Sequence, residues 1–509
     1  MKKWRFAGKK AIYAILAAAM LMTTACSNSS GGNAATEAQA GTAEAQQSSE
    51  AATTEAEASE VSDSADYEEM SDSEDGGHVI TADGEDASYS RVRVNKTGEA
   101  DGDEADFYGA NSAIFATNGA TLDLKDMDIT TNGTHANAVF CYGEGTTVNV
   151  SDSKIETSGN CSGGIMTTGG GTMNAENLDI HTTGNSSAAI RSDRGGGVVT
   201  VTGGTYSTDG TGSPAIYSTA DITVNDAELS STASQGVVVE GQNSVTLNNV
   251  NLTADNNKKN SDKSDYYQAV MIYQSMSGDA DEGTAAFSMT GSTLNNKNGD
   301  VFFVNNTVAE INLSDNTITN EGDGIFLRAA AAGWGNEGSN GGHVDLHAKK
   351  QTIDGDMAID EVSTLNLYLN DGSSYTGAVN SDGEAGDVYV ELAGGSKWKL
   401  TGDSYITSLT CDADSIDLNG YTLYVGGEKY AEGTESKGEA IKVEIQSNGG
   451  PGGPGGNGGT PPDGGPGGNG GTPPDGAGGP GGAGGPGGNG GTPPDGAPGG
   501  NASTNTDSQ

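Results

Sequence analysis

The sequence repeats a pattern of about 25 residues between residues 112 and 330. Three successive copies read SAIFATNGATLDLKDMDITTNG, NAVFCYGEGTTVNVSDSKIETSGN and GGIMTTGGGTMNAENLDIHTTGN. Each copy starts with a small residue before Ile or Val. Two apolar residues separated by one position follow, and a third apolar residue comes about five residues later. Because one copy is too short to bury its own apolar residues, the copies must stack on one another.

The spacing within a copy predicts three short strands, each with alternate residues turned inward. Asp or Asn often stands between the second and third strands, as at Asp126 and Asn177, where it tolerates a left-handed backbone and bonds its own turn. The sequence thus predicts an all-β parallel β-helix of about ten coils. The predicted inward residues of the first strands are Ile114, Val139, Ile165, Ile190, Ile216, Val237, Val270, Val301, Ile325 and Ile359.

Other repeat folds fit this pattern less well. A propeller blade needs four strands and roughly 40 residues, and a leucine-rich repeat needs an LxxLxL motif that this sequence lacks. Few strong helix formers occur between residues 80 and 445, which disfavours a helical solenoid.

The stretch from about residue 80 to 440 resembles the right-handed parallel β-helix proteins of the pectin-lyase-like superfamily. More narrowly, it is similar to β-helix surface lipoproteins of Gram-positive anaerobic bacteria, which are described as adhesin-like or carbohydrate-binding. The resemblance rests on the repeats and the strand pattern and includes no catalytic motif. It implies a right-handed helix and leaves the function open.

Residues 1–26 are predicted to be a targeting segment. A basic start precedes a short apolar run at 12–22, too short for an ordinary membrane-spanning helix. The ending at Cys26 resembles a bacterial lipoprotein signal, in which this Cys carries the lipid, although Thr23 replaces the usual Leu-like residue. The alternative is an ordinary secretory signal followed by a chance Cys.

The predicted β-helix domain, residues 78–445, stands between two segments of low complexity. Residues 27–77 are rich in Ala, Ser, Thr and Glu without Lys or Arg, and such a chain cannot bury enough apolar surface to fold. Residues 446–509 repeat GPGGNGGTPPDG-like units without glycine at every third position, so they are not collagen. We expect a disordered acidic linker and a disordered Gly/Pro-rich tail.

The formal charge of −46, with 70 acidic against 24 basic residues, argues against nucleic acid as a partner. Phosphate backbones are bound by Lys and Arg, which are scarce here. An acidic surface suits an exposed, soluble domain and permits Ca²⁺ binding without establishing it.

The residue after each inward Ile or Val is expected to point outward. Stacked about 4.8 Å apart, these residues would form an aromatic and apolar stripe suited to sugar rings or a protein partner. Two alternatives stay open: the longer loops at 256–267, 274–283 and 329–341 cover the stripe, or the alternation is inverted and these residues are core. The candidate ligand contacts on the stripe are Phe115, Phe140, Arg191, Tyr217, Phe302 and Phe326, together with Met166, Val238 and Met271.

The resemblance also suggests where an enzyme would place its chemistry. Pectin-cleaving relatives use outward carboxylates, either to hold Ca²⁺ beside an Arg or Lys base or as acid and base. Here Arg191 and Arg194 flank Asp193, and Arg328 follows a predicted strand, but no matching carboxylate cluster lies beside them. Arg328 and, in the last long loop, Trp334 are further candidates for ligand contact.

No cofactor is certain from the sequence, and the candidate is Ca²⁺. Two acidic loops offer possible ligands without the twelve-residue EF-hand pattern. The candidates are Asp101, Asp103, Asp106, Asp279, Asp281 and Glu282. Cys141, Cys161 and Cys411 fit no metal or redox motif, although Cys141 and Cys161 could form a disulfide.

We expect a non-catalytic, adhesin-like lipoprotein, held by its lipid on the outer face of the cell membrane. Its β-helix would bind an extended ligand, either a polysaccharide or a surface glycoconjugate or protein, and we expect a monomer. One alternative is a lyase or glycoside hydrolase that acts on acidic polysaccharide. The other is a structural surface spacer.

Overall fold

The computed structural model describes residues 67–443. The predicted signal segment 1–26, nearly all of the linker 27–77 and the tail 446–509 lie outside the described residues. Within residues 67–443 the chain is nearly all β, with one short helix, Asp103–Phe107. The first strand, Glu68–Asp72, lies ahead of residue 78, where the sequence predicts the domain to begin.

Eleven parallel strands form sheet B, which contains the predicted first strands. Each inner strand pairs with the strand one repeat before it and with the strand one repeat after it, so that Ile165 lies between Val139 and Ile190. We call each level of this stack a rung. The strands are Ile80–Asp83, Ile114–Thr117, Val139–Tyr142, Ile165–Thr168, Ile190–Ser192, Ile216–Ser218, Val237–Glu240, Gln268–Tyr273, Asp300–Asn305, Ile325–Ala329 and Asp356–Ile359.

The predicted second and third strands form the first and second limbs of sheet A, which has 22 strands. In Gly171–Thr182 and Gly197–Thr208, one long strand contributes to both limbs. The other strands are Glu68–Asp72, Ala87–Ser90, Val92–Lys96, Thr121–Lys125, Asp128–Thr131, Thr147–Ser151, Lys154–Thr157, Asp221–Asn225, Glu228–Ser231, Ser244–Asn248, Asn251–Ala254, Thr284–Thr290, Thr293–Asn296, Thr307–Ser314, Thr317–Asn320, Gly342–Lys349, Thr364–Asn370, Asp387–Leu392, Ser408–Cys411 and Ser436–Lys437.

Two small sheets complete the C-terminal part of the described chain. Sheet C contains Thr352–Asp354, Ser374–Thr376, Lys397–Lys399 and Ile416–Asp417, and sheet D contains Ser404–Ile406, Leu423–Val425 and Glu428–Lys429. The pairs that run antiparallel involve Glu428–Lys429 and Ser436–Lys437, close to the end of the described residues. The other strand pairs within residues 67–443 run parallel, and this pairing is the one expected of a β-helix solenoid.

The corner between the two limbs of sheet A confirms the left-handed backbone predicted for its Asp and Asn residues, whereas the side chains of Asn177 and Asn249 bond the corner residue of the previous rung. These residues have φ values between 49° and 56°, in the left-handed region. Asp and Asn occupy this region more readily than most residues because their side chains bond the local backbone. The predicted corner residues with this backbone are Asp126, Asp152, Asn177, Asp226, Asn249 and Asp315.

A column of glycines occupies another corner, just before sheet B. A Cβ atom on Gly184 would overlap the carbonyl oxygen of Gly159 on the previous rung, and Gly159 stands in the same relation to Gly133. Next to this column, Thr182 Oγ1 donates to the Ser187 carbonyl oxygen at 2.5 Å. The close approach of successive rungs therefore requires glycine here.

The apolar core runs inside the solenoid as predicted. Leu122 and Leu124 on the second strand and Ile129 on the third are at most 2% exposed, like most of their counterparts on later rungs, whereas Ile318, also predicted to face inward, is only partly buried. Further along, the rings of Tyr375 and Trp398 stack 5.5 Å apart inside the core. The stacked repeats thus bury one continuous column of apolar side chains.

Candidate functional site

One column of side chains points away from the core along the outer face of sheet B. We call this column the outer column. From Phe115 to Met271 its side chains point outward in one line, as predicted for the stripe. Its members, in rung order, are Thr81, Phe115, Phe140, Met166, Arg191, Tyr217, Val238, Met271, Phe303, Arg328 and Ala358.

Two predicted members of the stripe, Phe302 and Phe326, point into the core instead. Phe302 pairs with Val270 on the previous rung and with Leu327 on the next. Its ring centroid lies 5.5 Å from that of Phe326 and 5.6 Å from that of Phe287. Both residues are fully buried, so the prediction that they contact a ligand from the surface is wrong in its geometry.

The error has a physical reason. The strand Asp300–Asn305 is buried at every position and carries four successive apolar residues, so its sequence shows no alternation from which to infer direction. On the next rung, a bulge between Ile325 and Leu327 shifts the register by one residue. The outer position on these two rungs belongs to Phe303 and Arg328.

Residues 97–113, which we call the N-terminal cover, lie over the first rungs of the outer column. A Cβ on Gly109 would clash with the ring of Phe115 and touch that of Phe140, so the backbone of the cover lies directly on these rings. Thr168 Oγ1, on the outer face of sheet B, donates to the carbonyl oxygen of Phe107 at 2.8 Å. Phe140 is fully buried as a result.

Residues 256–267 and 330–341, which we call the C-terminal cover, lie over the later rungs. The ring of Tyr266 lies 5.6 Å from that of Phe303, and the guanidinium of Arg328 stacks 4.1 Å from the centroid of Tyr266. Trp334, a predicted ligand contact, packs edge-on against Tyr273 at 5.2 Å. The structure therefore supports the alternative in which loops cover the stripe.

Between the two covers, Arg194 joins three parts of the chain. Its Nε donates to Asp279 Oδ1 at 2.6 Å in the loop 274–283, which we call the acidic loop. Its Nη1 donates to Asp103 Oδ2 at 3.3 Å in the N-terminal cover. The guanidinium also lies 3.7 Å from the ring centroid of Phe107. Two of the predicted metal ligands thus bind an arginine instead.

Arg191 and Asp193 form a buried ion pair beside this junction. Arg191 Nη2 donates to Asp193 Oδ2 at 2.8 Å, and the two side chains are 12% and 5% exposed. Burial raises the pKa of Asp193 to about 6, and the charges of Asp279 and Glu240 add to the rise, whereas Arg191 opposes it. Asp193 therefore titrates closer to neutral pH than an exposed aspartate does.

Glu240 lies at the centre of a second buried group, two rungs further on. Its Oε2 accepts hydrogen bonds from the hydroxyls of Tyr217 at 2.5 Å and Tyr273 at 2.9 Å. Burial raises the pKa of Glu240, while Ser275 and the two tyrosines oppose the rise. Its other oxygen, Oε1, is buried and takes part in no hydrogen bond of ordinary geometry.

Asp106 and His135 form a third buried pair, which fixes the N-terminal cover to the solenoid. The His135 ring nitrogens lie 2.7 Å from the Ala100 carbonyl oxygen and 2.7 Å from Asp106 Oδ1. Burial alone would lower the pKa of His135, but these two hydrogen bonds raise it above the usual value. An imidazolium that donates from both nitrogens fits this geometry.

The predicted acidic metal ligands do not converge on one site. Asp101 is 78% exposed, while Asp281 and Glu282 are exposed on the acidic loop. Across residues 67–443, Asp106, His135 and Cys161 form the group whose possible ligand atoms lie within 4.8 Å of one another. Cys161 is already engaged in a bond of its own, so it is not a free third ligand. Cys141 has a free, buried thiol, so the disulfide considered between it and Cys161 is absent.

Neither candidate base is suited to abstract a proton. Asp300 accepts hydrogen bonds from Nε and Nη2 of Arg328, at 2.7 and 3.3 Å. Burial would lower the pKa of Arg328, but Asp300 raises it above its usual value. The pKa of Arg191 is raised in the same way by Asp193. Both guanidinium groups are held in the charged form.

In contrast to sheet B, the first limb of sheet A leaves a long polar face partly open to solvent. Two columns of small polar side chains run along it, one on either side of an inward-facing residue. We call these two columns the polar track. On seven successive rungs it consists of Asn149 and Ser151, Asn174 and Glu176, Thr200 and Thr202, Thr223 and Asn225, Thr246 and Asn248, Ser288 and Thr290, and Asn312 and Ser314.

Two shallow grooves lie along this track. The first, with a volume of about 700 Å³, runs across five rungs, from Ser88 and Ser90 to Thr200 and Thr202. The second, of about 450 Å³, lies further along, and its lining includes Asn312 and Ser314. Both grooves follow the same pair of columns along the axis of stacking, and the rungs of Thr223 and Thr246 lie between them.

Aromatic side chains continue the track at its C-terminal end. The rings of His347 and Tyr368 stack 4.5 Å apart and 5° from parallel, and Tyr389 meets Tyr368 edge-on at 5.8 Å. The second groove includes His347 in its lining. A ligand on this part of the face would meet aromatic surface as well as polar groups.

The repeat contained a signal for the polar track that sequence reasoning missed. Pairs of inward residues such as Val148 and Val150 enclose one outward residue, here Asn149, and the enclosed residues form a column when the copies are aligned. Glu240 was missed for a related reason. It pairs with Tyr273 and lies two positions beyond the outward residue Val238, where no column was compared.

Among residues 67–443, no helix is long and apolar enough to cross a membrane. No protein-family model, no curated protein and no solved structure matches this chain. The assignment of the fold therefore rests on the strand pairing itself.

Proposed function

We propose that the chain is a non-catalytic cell-surface protein that binds an extended ligand, foremost a polysaccharide, along the polar track. In this proposal the solenoid is a right-handed β-helix of about ten coils, related to the pectin-lyase-like superfamily. The observation that carries the proposal is that both grooves follow the same two columns of side chains. A polymer with repeated hydroxyl groups would meet equivalent partners on successive rungs, about 4.8 Å apart.

The covered state of sheet B supports placing the ligand on sheet A. Phe140, Met166 and Phe303 are buried beneath the covers and offer no surface to a sugar ring. The track side chains, by contrast, are all half-buried or exposed. Because they stand on paired strands and not on loops, their positions are fixed before a ligand arrives, which lowers the entropic cost of binding.

The N-terminal features supply the rest of the proposal. A lipid on Cys26 would anchor the chain in the bilayer, on the outer face of the membrane. Residues 27–77 would then link the lipid to the solenoid. An adhesin or a glycan-binding lipoprotein must present its binding surface outside the membrane.

The enzymatic alternative gains less support. A lyase would need Arg191 or Arg328 as a base, and both are paired with buried carboxylates that keep them protonated. The buried carboxylates Asp193 and Glu240 lie close to the covers and are almost inaccessible to solvent. A polysaccharide could reach them only if a cover moved.

The test is to block the track. We would attach a polyethylene glycol maleimide to a Thr246→Cys variant and, as the matched control, to Thr253→Cys on the second limb. Cys141 and Cys411 are buried and should react slowly. Depletion of each labelled full-length protein by insoluble plant, mucin and bacterial polysaccharides would be measured with Ca²⁺ and with EDTA.

We expect the label at position 246, and not at 253, to abolish selective binding. Equal loss of binding at both positions would place the ligand elsewhere. No binding by the unlabelled protein to any polysaccharide would favour the surface spacer or a protein partner. Loss of binding in EDTA would show that a metal ion takes part.

A further inference from the structure

We infer that the polymer bound along the polar track is an electrically neutral polysaccharide. This inference rests on the proposed function and specifies its ligand. It follows from the side chains that a ligand in the track would touch. Of the fourteen side chains on its seven rungs, thirteen are Asn, Thr or Ser. Glu176 is the one charged member, and it is acidic.

An acidic polysaccharide would meet no compensating charge along these rungs. Carboxylate and sulfate groups are bound most effectively by Arg and Lys, and the seven rungs carry neither in the track. The neighbouring column on the same limb adds Asp221 and Glu310, which are also acidic. Each stands two residues before a member of the track on the same strand, about 7 Å along it and inside the screening length of about 8 Å at physiological ionic strength, so these charges would repel a polyanion in contact with the track.

The basic residues at the two ends of the track are already paired. Lys125, in the lining of the first groove, lies 3.2 Å from Asp152. Lys349, in the lining of the second, lies 3.4 Å from Asp371. Each lysine therefore shares its charge with a carboxylate and leaves no net positive site for a polyanion.

The remaining groups suit hydroxyl groups. Amides in the track are aligned by hydrogen bonds to one another, from Asn174 Nδ2 to Asn149 Oδ1 at 2.8 Å and from Asn248 Nδ2 to Asn225 Oδ1 at 3.0 Å. Each amide keeps further donor and acceptor capacity. Thr hydroxyls, as at Thr223, both donate and accept, like the hydroxyls of an uncharged sugar.

The experiment compares neutral polymers with charged derivatives of the same backbone. Full-length protein would be run by electrophoresis through native gels that contain hydroxyethylcellulose, mixed-linkage β-glucan, galactomannan or pullulan, each beside its carboxymethylated form. Retardation gives the dissociation constant. We expect at least one neutral polymer to bind, and its carboxymethylated form to bind at least tenfold more weakly.

Three variants locate the effect. Replacing Thr200, Thr223 and Thr246 by Val removes three hydroxyls and should weaken neutral binding by about tenfold or more, because each removed hydroxyl takes away a hydrogen bond to the polymer. The control replaces Thr253, Thr317 and Thr319 by Val on the second limb and should leave binding unchanged. Thr223→Lys should instead strengthen binding of the carboxymethylated form.

The outcomes separate this inference from the proposed function. Equal or tighter binding of the carboxymethylated polymers would overturn the inference and leave a polysaccharide-binding track standing. Neutral binding that the three Val substitutions do not weaken would overturn the assignment to this track. Binding to no polymer of either kind would overturn both the inference and the proposed function.

Discussion

Arg194 donates a hydrogen bond to Asp279 across 2.6 Å, although 85 residues separate them in the sequence. The same side chain reaches Asp103, 91 residues earlier. One arginine on the edge of sheet B thus ties the N-terminal cover and the acidic loop to the solenoid. Its side chain is 26% exposed and that of Asp279 is 7% exposed, so this contact is poorly screened by solvent.

Arg194→Ala should therefore loosen both segments. The buried carboxylate of Asp279 would lose its partner, and a hydrogen bond between charged groups contributes about 2 kcal/mol. We expect faster hydrogen exchange in residues 97–113 and 274–283, with little change in the strands of sheet A. Mass spectrometry of the exchanged peptides measures the exchange rates in these two segments and in sheet A.

The matched control is Arg93→Ala. Arg93 also bridges two carboxylates, but the side chains of Arg93 and Glu69 are well exposed, at 46% and 67%, and that of Asp128 is only partly buried, at 33% exposed. Surface pairs of this kind contribute little to stability. If both variants gave the same exchange pattern, Arg194 would have no special role in holding the covers.

Phe302 and Phe303 are adjacent, yet substituting them should have different consequences. Phe302→Ala removes a ring from the core between two others and should lower the free energy of unfolding by about 3–5 kcal/mol. Phe303→Ala removes a ring between sheet B and the C-terminal cover. It should mainly increase exchange in residues 256–267 and 330–341.

Urea unfolding and hydrogen exchange of both variants measure this difference. Neither substitution should change ligand binding to the polar track in the folded protein. A Phe302→Ala variant that kept full stability but lost binding would restore the idea of an exposed stripe.

The repeat predicted the fold because every rung needs apolar residues at the same inward positions. Where one face of a strand was apolar and the other polar, as at Leu122 and Leu124, the inward direction followed from alternation. Where both faces were buried, as in Asp300–Asn305, alternation disappeared, and the direction of Phe302 could not be inferred. The bulge beside Phe326 is likewise invisible in the sequence.

The candidate site was less predictable than the fold. The Arg194–Asp279 contact joins positions that no repeat relates, so it depends on how two loops fold over the solenoid. The polar track, by contrast, was present in the repeat. Its residues were passed over because small polar side chains on a strand surface are also what solvent exposure alone would select.

Gly184→Ala should destabilise the whole solenoid. The added Cβ would overlap the Gly159 carbonyl oxygen, which is backbone and cannot turn aside, so the rungs must separate. We expect a loss of roughly 3 kcal/mol or more, at the upper end for single substitutions. Gly402→Ala is the control, since its added Cβ would lie 3.2 Å from the Ala378 Cβ and meet only side-chain atoms. Thermal unfolding that gave equal losses for the two variants would rule out a requirement for glycine in this column.

Cys26→Ser should release the protein from the membrane. If Cys26 carries the lipid, its hydroxyl replacement cannot be lipidated, and the chain should appear in the culture medium. Incorporation of a labelled fatty acid and cell fractionation measure this directly. Cys411→Ser, which changes a buried thiol in the solenoid, is the control and should leave both unchanged. Retention of the Cys26→Ser variant on the membrane would point to an ordinary secretory signal and a different anchor.

The buried ion pairs should make the protein more stable in mild acid than at neutral pH. The pKa of Asp193 is raised to about 6 when folded, so the folded state binds this proton more tightly than the unfolded state does. The contribution is complete below about pH 4, and it is lost as the pH rises through 6. A difference of about two pH units between the folded and unfolded pKa corresponds to up to about 3 kcal/mol.

His135 acts in the same direction, since its raised pKa favours the folded state until the pH passes that value. Asp193 and His135 should therefore make the free energy of unfolding, measured in urea from pH 5 to pH 8, fall as the pH rises, whereas His78 and His343, whose pKa values burial lowers, act in the opposite direction. Asp193→Asn removes one titrating group while keeping the side-chain shape. The free energy of unfolding of this variant should therefore fall less steeply with rising pH than that of the natural protein. Equal slopes for the two proteins would mean that Asp193 does not take up its proton on folding, and that the charge of Arg191 compensates for its burial completely.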